Sequence, residues 1–190
     1  MAFPRIIFVL GGPGCGKGTQ CQKICETFAE FVHLSAGELL REARTSGSAL
    51  GEMIEKCMME GSIVPAEVTV NLLREAMEKN GWAEKRYLID GFPRNDDNYA
   101  TWFRLLPDVQ VDYCLYLNCN DEVMIQRIMG RGEGRSDDNL ETVSKRLRTY
   151  KESTQPVIKR FADGGKLAEI NAEGPVEEIF ERVKQGLRLI

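Results

Sequence analysis

Gly11-Gly12-Pro13-Gly14-Cys15-Gly16-Lys17-Gly18-Thr19 decides the fold of this 190-residue chain. The apolar run Ile6-Ile7-Phe8-Val9-Leu10 precedes it. Behind it Cys21, Ile24, Cys25 and Phe28 fall at i, i+3, i+4 and i+7, the spacing of one helix face. Strand, glycine-rich turn, lysine and helix together make a phosphate cradle. Backbone N–H groups converge on an anion, the helix N-terminus adds partial positive charge, and the lysine reaches the outer phosphates. Side chains would obstruct that approach, and the dihedrals needed are poor for residues other than glycine. Gly14, Cys15, Gly16, Lys17, Gly18 and Thr19 are therefore the candidate nucleotide-phosphate contacts. A glycine-rich loop alone is often only a tight turn, but Lys17 between a readable strand and helix argues against that. The usual pattern places Ser or Thr directly after the lysine as a Mg²⁺ ligand. Here Gly18 stands there and the hydroxyl comes one residue later, at Thr19. Mg²⁺ is then expected to rest on nucleotide oxygens, waters and a nearby carboxylate, with Thr19 a weak ligand.

Working outward, strand-like runs recur at Arg5–Leu10, Phe31–Leu34, Tyr87–Ile89, Val111–Cys119 and Leu167–Ile170. Between them lie helical patterns. Leu50, Met53, Ile54, Cys57 and Met58 share one face, and Val176, Ile179, Phe180, Val183 and Leu187 another. Strands alternating with helices predict a five-stranded parallel sheet in a three-layer α/β/α architecture of the phosphate-loop type. Ligands of such sheets bind beyond the carboxyl ends of the strands, so the segments that follow strands carry the chemistry.

Composition agrees with one soluble domain: 43% hydrophobic, 28% charged and a net charge of −4, which argues against a nucleic-acid surface. An anionic ligand must be met by a local cluster of cations. No run approaches a membrane span, and the opening Met1-Ala2-Phe3-Pro4-Arg5 leads straight into a strand with no leader pattern. Six cysteines include no C-x-x-C pair, and the one histidine, His33, completes no zinc-finger pattern. The expectation is a reduced protein of the cytoplasm, with the nucleus as the alternative, His33 structural and the reactivity of Cys15 open.

Three further clusters stand out. Ser35-Ala36-Gly37-Glu38-Leu39-Leu40-Arg41 opens a helix that Ser35 can cap, with Arg41 near its start. Tyr87-Leu88-Ile89-Asp90 ends a strand in a carboxylate, which suits water-mediated Mg²⁺ binding if that strand neighbours the first. A turn or cap role for Asp90 is the plain alternative. Gly91-Phe92-Pro93 then makes a stiff turn that fixes Arg94. Arg127-Ile128-Met129-Gly130-Arg131-Gly132-Glu133-Gly134-Arg135-Ser136-Asp137-Asp138-Asn139 is basic and glycine-rich, and Asn139 can cap the next helix. At about 100° per residue, Arg146 falls at the edge of the stripe Leu140, Val143, Leu147 and Tyr150. Arg41, Arg94, Arg131, Arg135 and Arg146 with Lys17 should meet at one sheet edge. Guanidinium forks bind phosphate oxygens bidentately and stay charged, so the convergence implies a polyanionic ligand.

With GGPGCGKGTQC, HLSAGELLR, EGSIVP, LIDGFPRNDDN and GRSDDN in order, the chain resembles the nucleoside monophosphate kinases, and among them the UMP-CMP kinases, over nearly its whole length. The resemblance implies ATP as donor with Mg²⁺, small nucleotides as the partners, and a monomer. It implies that Gly14 to Thr19 and Arg131 hold ATP, with Gly174 against the adenine. It assigns the monophosphate acceptor to Ser35, Arg41, Ser62, Ile63, Val64, Gly91, Phe92, Pro93, Arg94, Asn98, Arg135 and Arg146, and makes Lys17, Arg94, Arg135 and Arg146 catalytic. It divides a single kinase domain (1–190) into a core (1–34, 65–130 and 140–190), a helical acceptor-binding insertion at about 35–64 and a short lid at about 131–139. Between Arg131 and Arg135 stand only Gly132-Glu133-Gly134, a shorter connection than the resemblance implies. Adenylate kinases carry Thr and Gln where this chain has Ala36 and Asn98, so UMP and CMP are the expected acceptors and AMP the alternative. A GTPase-type switch is disfavoured because Asn118-Cys119-Asn120-Asp121 lacks the lysine of the guanine-reading pattern. A catalytically dead binding module is disfavoured because every cationic position is filled.

Overall fold

The computed structural model describes residues 3–130 and 139–189. Among them five strands form one sheet: β1 (Arg5–Gly11), β2 (Phe31–Ser35), β3 (Arg86–Asp90), β4 (Gln110–Asn118) and β5 (Leu167–Asn171). Their order is β2-β3-β1-β4-β5, and every neighbouring pair is parallel. Each strand matches its expected run to within one residue at either end.

A parallel sheet must be covered on both faces, because its crossover helices lie there. β1 shows the result: Ile6, Phe8 and Leu10 enter one core, Ile7 and Val9 the other. The first core is closed by α4 (Ala66–Lys79), α5 (Asp96–Leu105) and α8 (Gln155–Asp163). There the Phe8 ring meets Trp102 at 5.2 Å, Phe161 at 5.7 Å and Phe92 at 6.1 Å between centroids. Fully burying such a side chain contributes about 1.5–3 kcal/mol. The second core is closed by α1 (Lys17–Thr27), α6 (Asp121–Gly130), α7 (Leu140–Thr149) and α9 (Val176–Leu187).

Beside the sheet, α2 (Ala36–Arg44) and α3 (Ala49–Glu60) pack around a small apolar cluster of their own, Leu40, Ile54 and Val64, against the α4 side chains Val68 and Leu72. Side-chain caps begin both helices, with Ser35 Oγ accepting from Glu38 N at 3.3 Å and Ser48 Oγ from Gly51 N at 3.2 Å. Asn139 starts α7 in the same way, its Oδ1 accepting from Thr142 N at 3.0 Å.

Periodicity misjudged the first apolar residue of three helices. Leu50, Leu140 and Val176 are 45%, 62% and 44% exposed, while the later members of each stripe pack inward. Helical side chains lean toward the N-terminus, so those of the first turn overhang the end of the surface that buries the rest.

The order β2-β3-β1-β4-β5 puts β1 at the divide, with β3 on one side and β4 on the other. A crevice beyond the carboxyl ends of the strands opens at such a point, and the glycine-rich loop leaves β1 directly into it.

Candidate active site

The loop after β1 is pressed onto its neighbours. Gly14 has φ +81°, and a Cβ there would stand 2.5 Å from the Met124 carbonyl oxygen. At Gly11 a Cβ would come within 2.6 Å of the Leu117 carbonyl oxygen. Gly16 caps α1 in the left-handed region, and Lys17 Nζ crosses the loop to donate to Gly11 O (3.1 Å) and Gly12 O (2.9 Å). Gly18 and Thr19 are exposed at the start of the helix. Cys15 is buried beneath the loop, and burial pushes its thiol above the ordinary range against the pull of Lys17, so it is shielded from reagents.

Asp90 lies where the sequence reading required. β3 pairs with β1 so that Asp90 aligns with Val9, and Gly91 N donates to Val9 O at 3.0 Å. A Cβ on Gly18 would stand 4.0 Å from Asp90 Oδ2. Gly18 therefore leaves open the space beside the carboxylate. A single, mostly buried carboxylate next to a phosphate loop fits Mg²⁺, which keeps several waters and adds phosphate oxygens to one or two carboxylates. His33, expected to be structural, holds Asp90 with Nε2 3.1 Å from Oδ2 and lines the same crevice.

Arg94 is fixed at three points. Its Nε donates to Gly91 O at 2.8 Å, its backbone N to Asn98 Oδ1 at 3.1 Å, and its carbonyl accepts from Thr154 Oγ1 at 2.7 Å. The buried Phe92 and Pro93, joined by a cis peptide bond, hold the turn in the core with Gly91 at φ +75°. Asn98, 2% exposed, has a buried Nδ2 with no hydrogen-bond acceptor among the described residues.

Arg146 reaches the crevice from α7, which continues into a π-helical turn, Tyr150–Thr154. The Tyr150 and Tyr116 hydroxyls meet at 2.8 Å in the core, and burial with that neighbour raises the Tyr150 ionisation well above its usual range. Two hydroxyls tie α7 to the end of α3: Thr142 Oγ1 donates to Met59 O at 3.3 Å and Thr149 Oγ1 to Gly61 O at 3.1 Å. Ser62 and Ile63 thereby line a small cleft shared with Lys17, Gly91, Arg94 and Arg146, whereas Val64 turns into the α2–α3 cluster. Arg41 lies over Gly37 and pairs with Glu38 at 2.6 Å, leaving a buried Nε that donates to nothing among the described residues.

One residue escaped the sequence reading. Arg127, on α6, donates to Ala172 O at 3.0 Å and Cys15 O at 3.4 Å, bracing the phosphate loop against the segment that carries Gly174. Its signal was its place in the basic, glycine-rich segment that begins at Arg127. Gly174, at φ +105°, lines this end of the crevice with Pro175, Val176 and Ile179. Arg131 and Arg135 lie outside the described residues.

Lys17, Arg41, Arg94, Arg127 and Arg146 line one crevice of about 1130 Å³ together with Glu38 and Asp90, whereas Ser62, Ile63, Val64 and Asn98 stand outside its lining. Its size exceeds the roughly 300–1,000 Å³ of an ordinary small-ligand pocket. A chain of net charge −4 thus concentrates positive charge at one place. The parallel sheet, the loop at the end of β1 and the flanking helices define a phosphate-loop α/β fold.

Within that class the chain belongs to the adenylate kinase family, whose family model, Adenylate kinase, matches residues 9–166. It is 48% identical over 181 residues to UMP-CMP kinase 3 of Arabidopsis thaliana, covering 95% of this chain and 88% of that one. It is 46% identical over 189 residues to the UMP-CMP kinase of Homo sapiens, covering 96% of both. UMP-CMP kinase 3 of Oryza sativa subsp. japonica is 49% identical over 179 residues, 94% of this chain and 83% of that one. The chain is a nucleoside monophosphate kinase, which sets aside the GTPase-type switch.

Proposed function

We propose that this kinase moves the γ-phosphoryl group of ATP to UMP or CMP, with dCMP as a further acceptor, giving the diphosphate and ADP. The observation that carries the reading is the gathering of Lys17 in the phosphate loop with Arg41, Arg94 and Arg146 around one crevice. One polyphosphate needs a single cradle; two phosphate tails brought end to end need the arginines as well. Ala36 and the buried, unpaired amide of Asn98 favour a pyrimidine over adenine, in keeping with the names of the relatives.

Gly14 to Thr19 hold the ATP phosphates through backbone N–H groups, and Gly174 and Arg127 flank the donor nucleotide. Arg131 joins them from the lid segment. Arg41, Arg94 and the backbone from Ser62 to Val64 take the acceptor phosphate, and Asn98 takes its base. Lys17, Arg94, Arg135 and Arg146 neutralise charge on the group in flight. Phosphoryl transfer has a loose transition state, so alignment and charge compensation are the protein's task. The acceptor oxygen is already ionised and needs no general base. Mg²⁺, held by Asp90 through water and weakly by Thr19, supplies further positive charge to the phosphates when bound.

Excluding water prevents ATP hydrolysis. The acceptor-binding insertion at about 35–64 and the lid at about 131–139 are assigned that closure, around the core of 1–34, 65–130 and 140–190. One chain carries every residue assigned here, which suits a monomer. Six free cysteines suit the reducing cytoplasm, and none of the described helices is long and apolar enough to cross a membrane.

A coupled assay of ADP release with Mg-ATP and a panel of monophosphates tests the acceptor. Turnover with UMP and CMP well above that with AMP is expected. Equal or faster turnover with AMP would replace this reading by adenylate kinase activity.

A further inference from the structure

We propose that Cys21, His33 and Asp90 form a site for a thiophilic divalent cation, Zn²⁺ in particular, at the floor of the crevice, and that filling it stops turnover. The Cys21 thiol, a His33 ring nitrogen and an Asp90 carboxylate oxygen all lie within 4.8 Å of one another. Zn–S and Zn–N bonds of about 2.3 and 2.0 Å place tetrahedral ligands about 3.5 Å apart, so side-chain shifts on the order of 1 Å complete the site. The three ligands stand on rigid elements, Cys21 in α1, His33 in β2 and Asp90 at the end of β3.

Donor type sets the cation. Sulfur and imidazole select zinc and its neighbours, whereas Mg²⁺ takes oxygen. Cys21 is fully buried and closes the site from behind, while His33 and Asp90 line the crevice. A bound ion therefore has three protein ligands and a fourth position facing solvent or phosphate, the open arrangement of zinc sites that keep an exchangeable ligand. Binding releases the Cys21 thiol proton to solvent. It also engages the carboxylate assigned above to the Mg²⁺ waters. Inhibition therefore rests on the proposed role of Asp90, whereas cation binding does not. Sequence spacing hid the cluster, since His33 and Asp90 are 57 residues apart and meet only through the pairing of β2 with β3.

Co²⁺ titration of the full, nucleotide-free chain reads the site by thiolate-to-metal absorption, with Zn²⁺ as competitor. One equivalent is expected, its band displaced by Zn²⁺, kept in Cys15→Ala and Cys25→Ala, and lost in Cys21→Ala and His33→Phe. His33, whose side chain is 25% exposed, carries the test if the Cys21 variant does not fold. No thiolate band in the unmodified chain, or a band that survives loss of His33, overturns the site. In the coupled assay with excess Mg-ATP, Zn²⁺ should inhibit the unmodified chain and spare a folded variant without the site. Zinc bound with turnover unchanged overturns the inhibitory half. A chain with no kinase activity under any condition defeats the functional reading and leaves the cobalt result standing.

Discussion

Asn98 has one observed task, holding Arg94, and one proposed task, reading the acceptor base, and substituting it in two ways probes both. Its Oδ1 accepts from Arg94 N at 3.1 Å, while its buried Nδ2 has no acceptor among the described residues. Asn98→Ala removes both groups. Arg94 N–H then lacks its acceptor, and a buried polar group left unpaired costs about 1–3 kcal/mol. The same loss at the base lowers kcat/KM for UMP and CMP by roughly 5- to 150-fold. Asn98→Asp keeps an oxygen for Arg94, removes the donor and adds a carboxylate at a buried position. It should lower kcat/KM for both acceptors at least as far, leaving the KM for ATP unchanged, and should lower thermal stability as well. Initial rates at saturating Mg-ATP, with melting curves of both variants, provide the readout. Unchanged kcat/KM for both acceptors in Asn98→Asp would show that the base is read elsewhere.

Lys17→Ala should lower kcat by roughly 10³-fold or more, by analogy with phosphoryl-site cations, with little change in melting. Near wild-type turnover would take Lys17 out of the chemistry. Gly14→Ala forces a side chain into a positive φ and against the Met124 carbonyl, and should cost about 1–3 kcal/mol together with ATP affinity. A wild-type melting curve and ATP titration would contradict that. Tyr150→Phe loses the buried hydroxyl pair with Tyr116 and should cost about 0.5–1.5 kcal/mol at neutral pH. Burial raises the Tyr150 ionisation in the folded chain, so its contribution is whole below the unfolded value of about 10 and falls as pH rises above it. Denaturation at alkaline pH should therefore be shallower in Tyr150→Phe; equal pH slopes would refute this assignment.

The strands and the phosphate loop were legible because each is written locally. An apolar run ends in glycines with forced dihedrals, and a lysine follows at the helix start. Asp90 was legible conditionally, since its place beside the loop depends on β3 lying next to β1, a matter of strand order. The partner of His33 was illegible for that same reason: Asp90 is close only after β2 joins β3. Arg127 stood in a quoted basic segment, yet nothing local said that its guanidinium would reach Ala172 O across the crevice floor. The exposed Leu50, Leu140 and Val176 mark where periodicity overreaches, because it carries no information about where the partner surface ends.

The central claim is that Lys17, Arg94 and Arg146 together grip two phosphate tails laid end to end. Calorimetric titration with adenosine and uridine joined through five phosphates tests it most directly. The account predicts one molecule per chain, bound more tightly than ATP or UMP alone and blocking both, with affinity lost in Lys17→Ala and in Arg146→Ala. Binding no tighter than ATP, with UMP still able to enter, would contradict it.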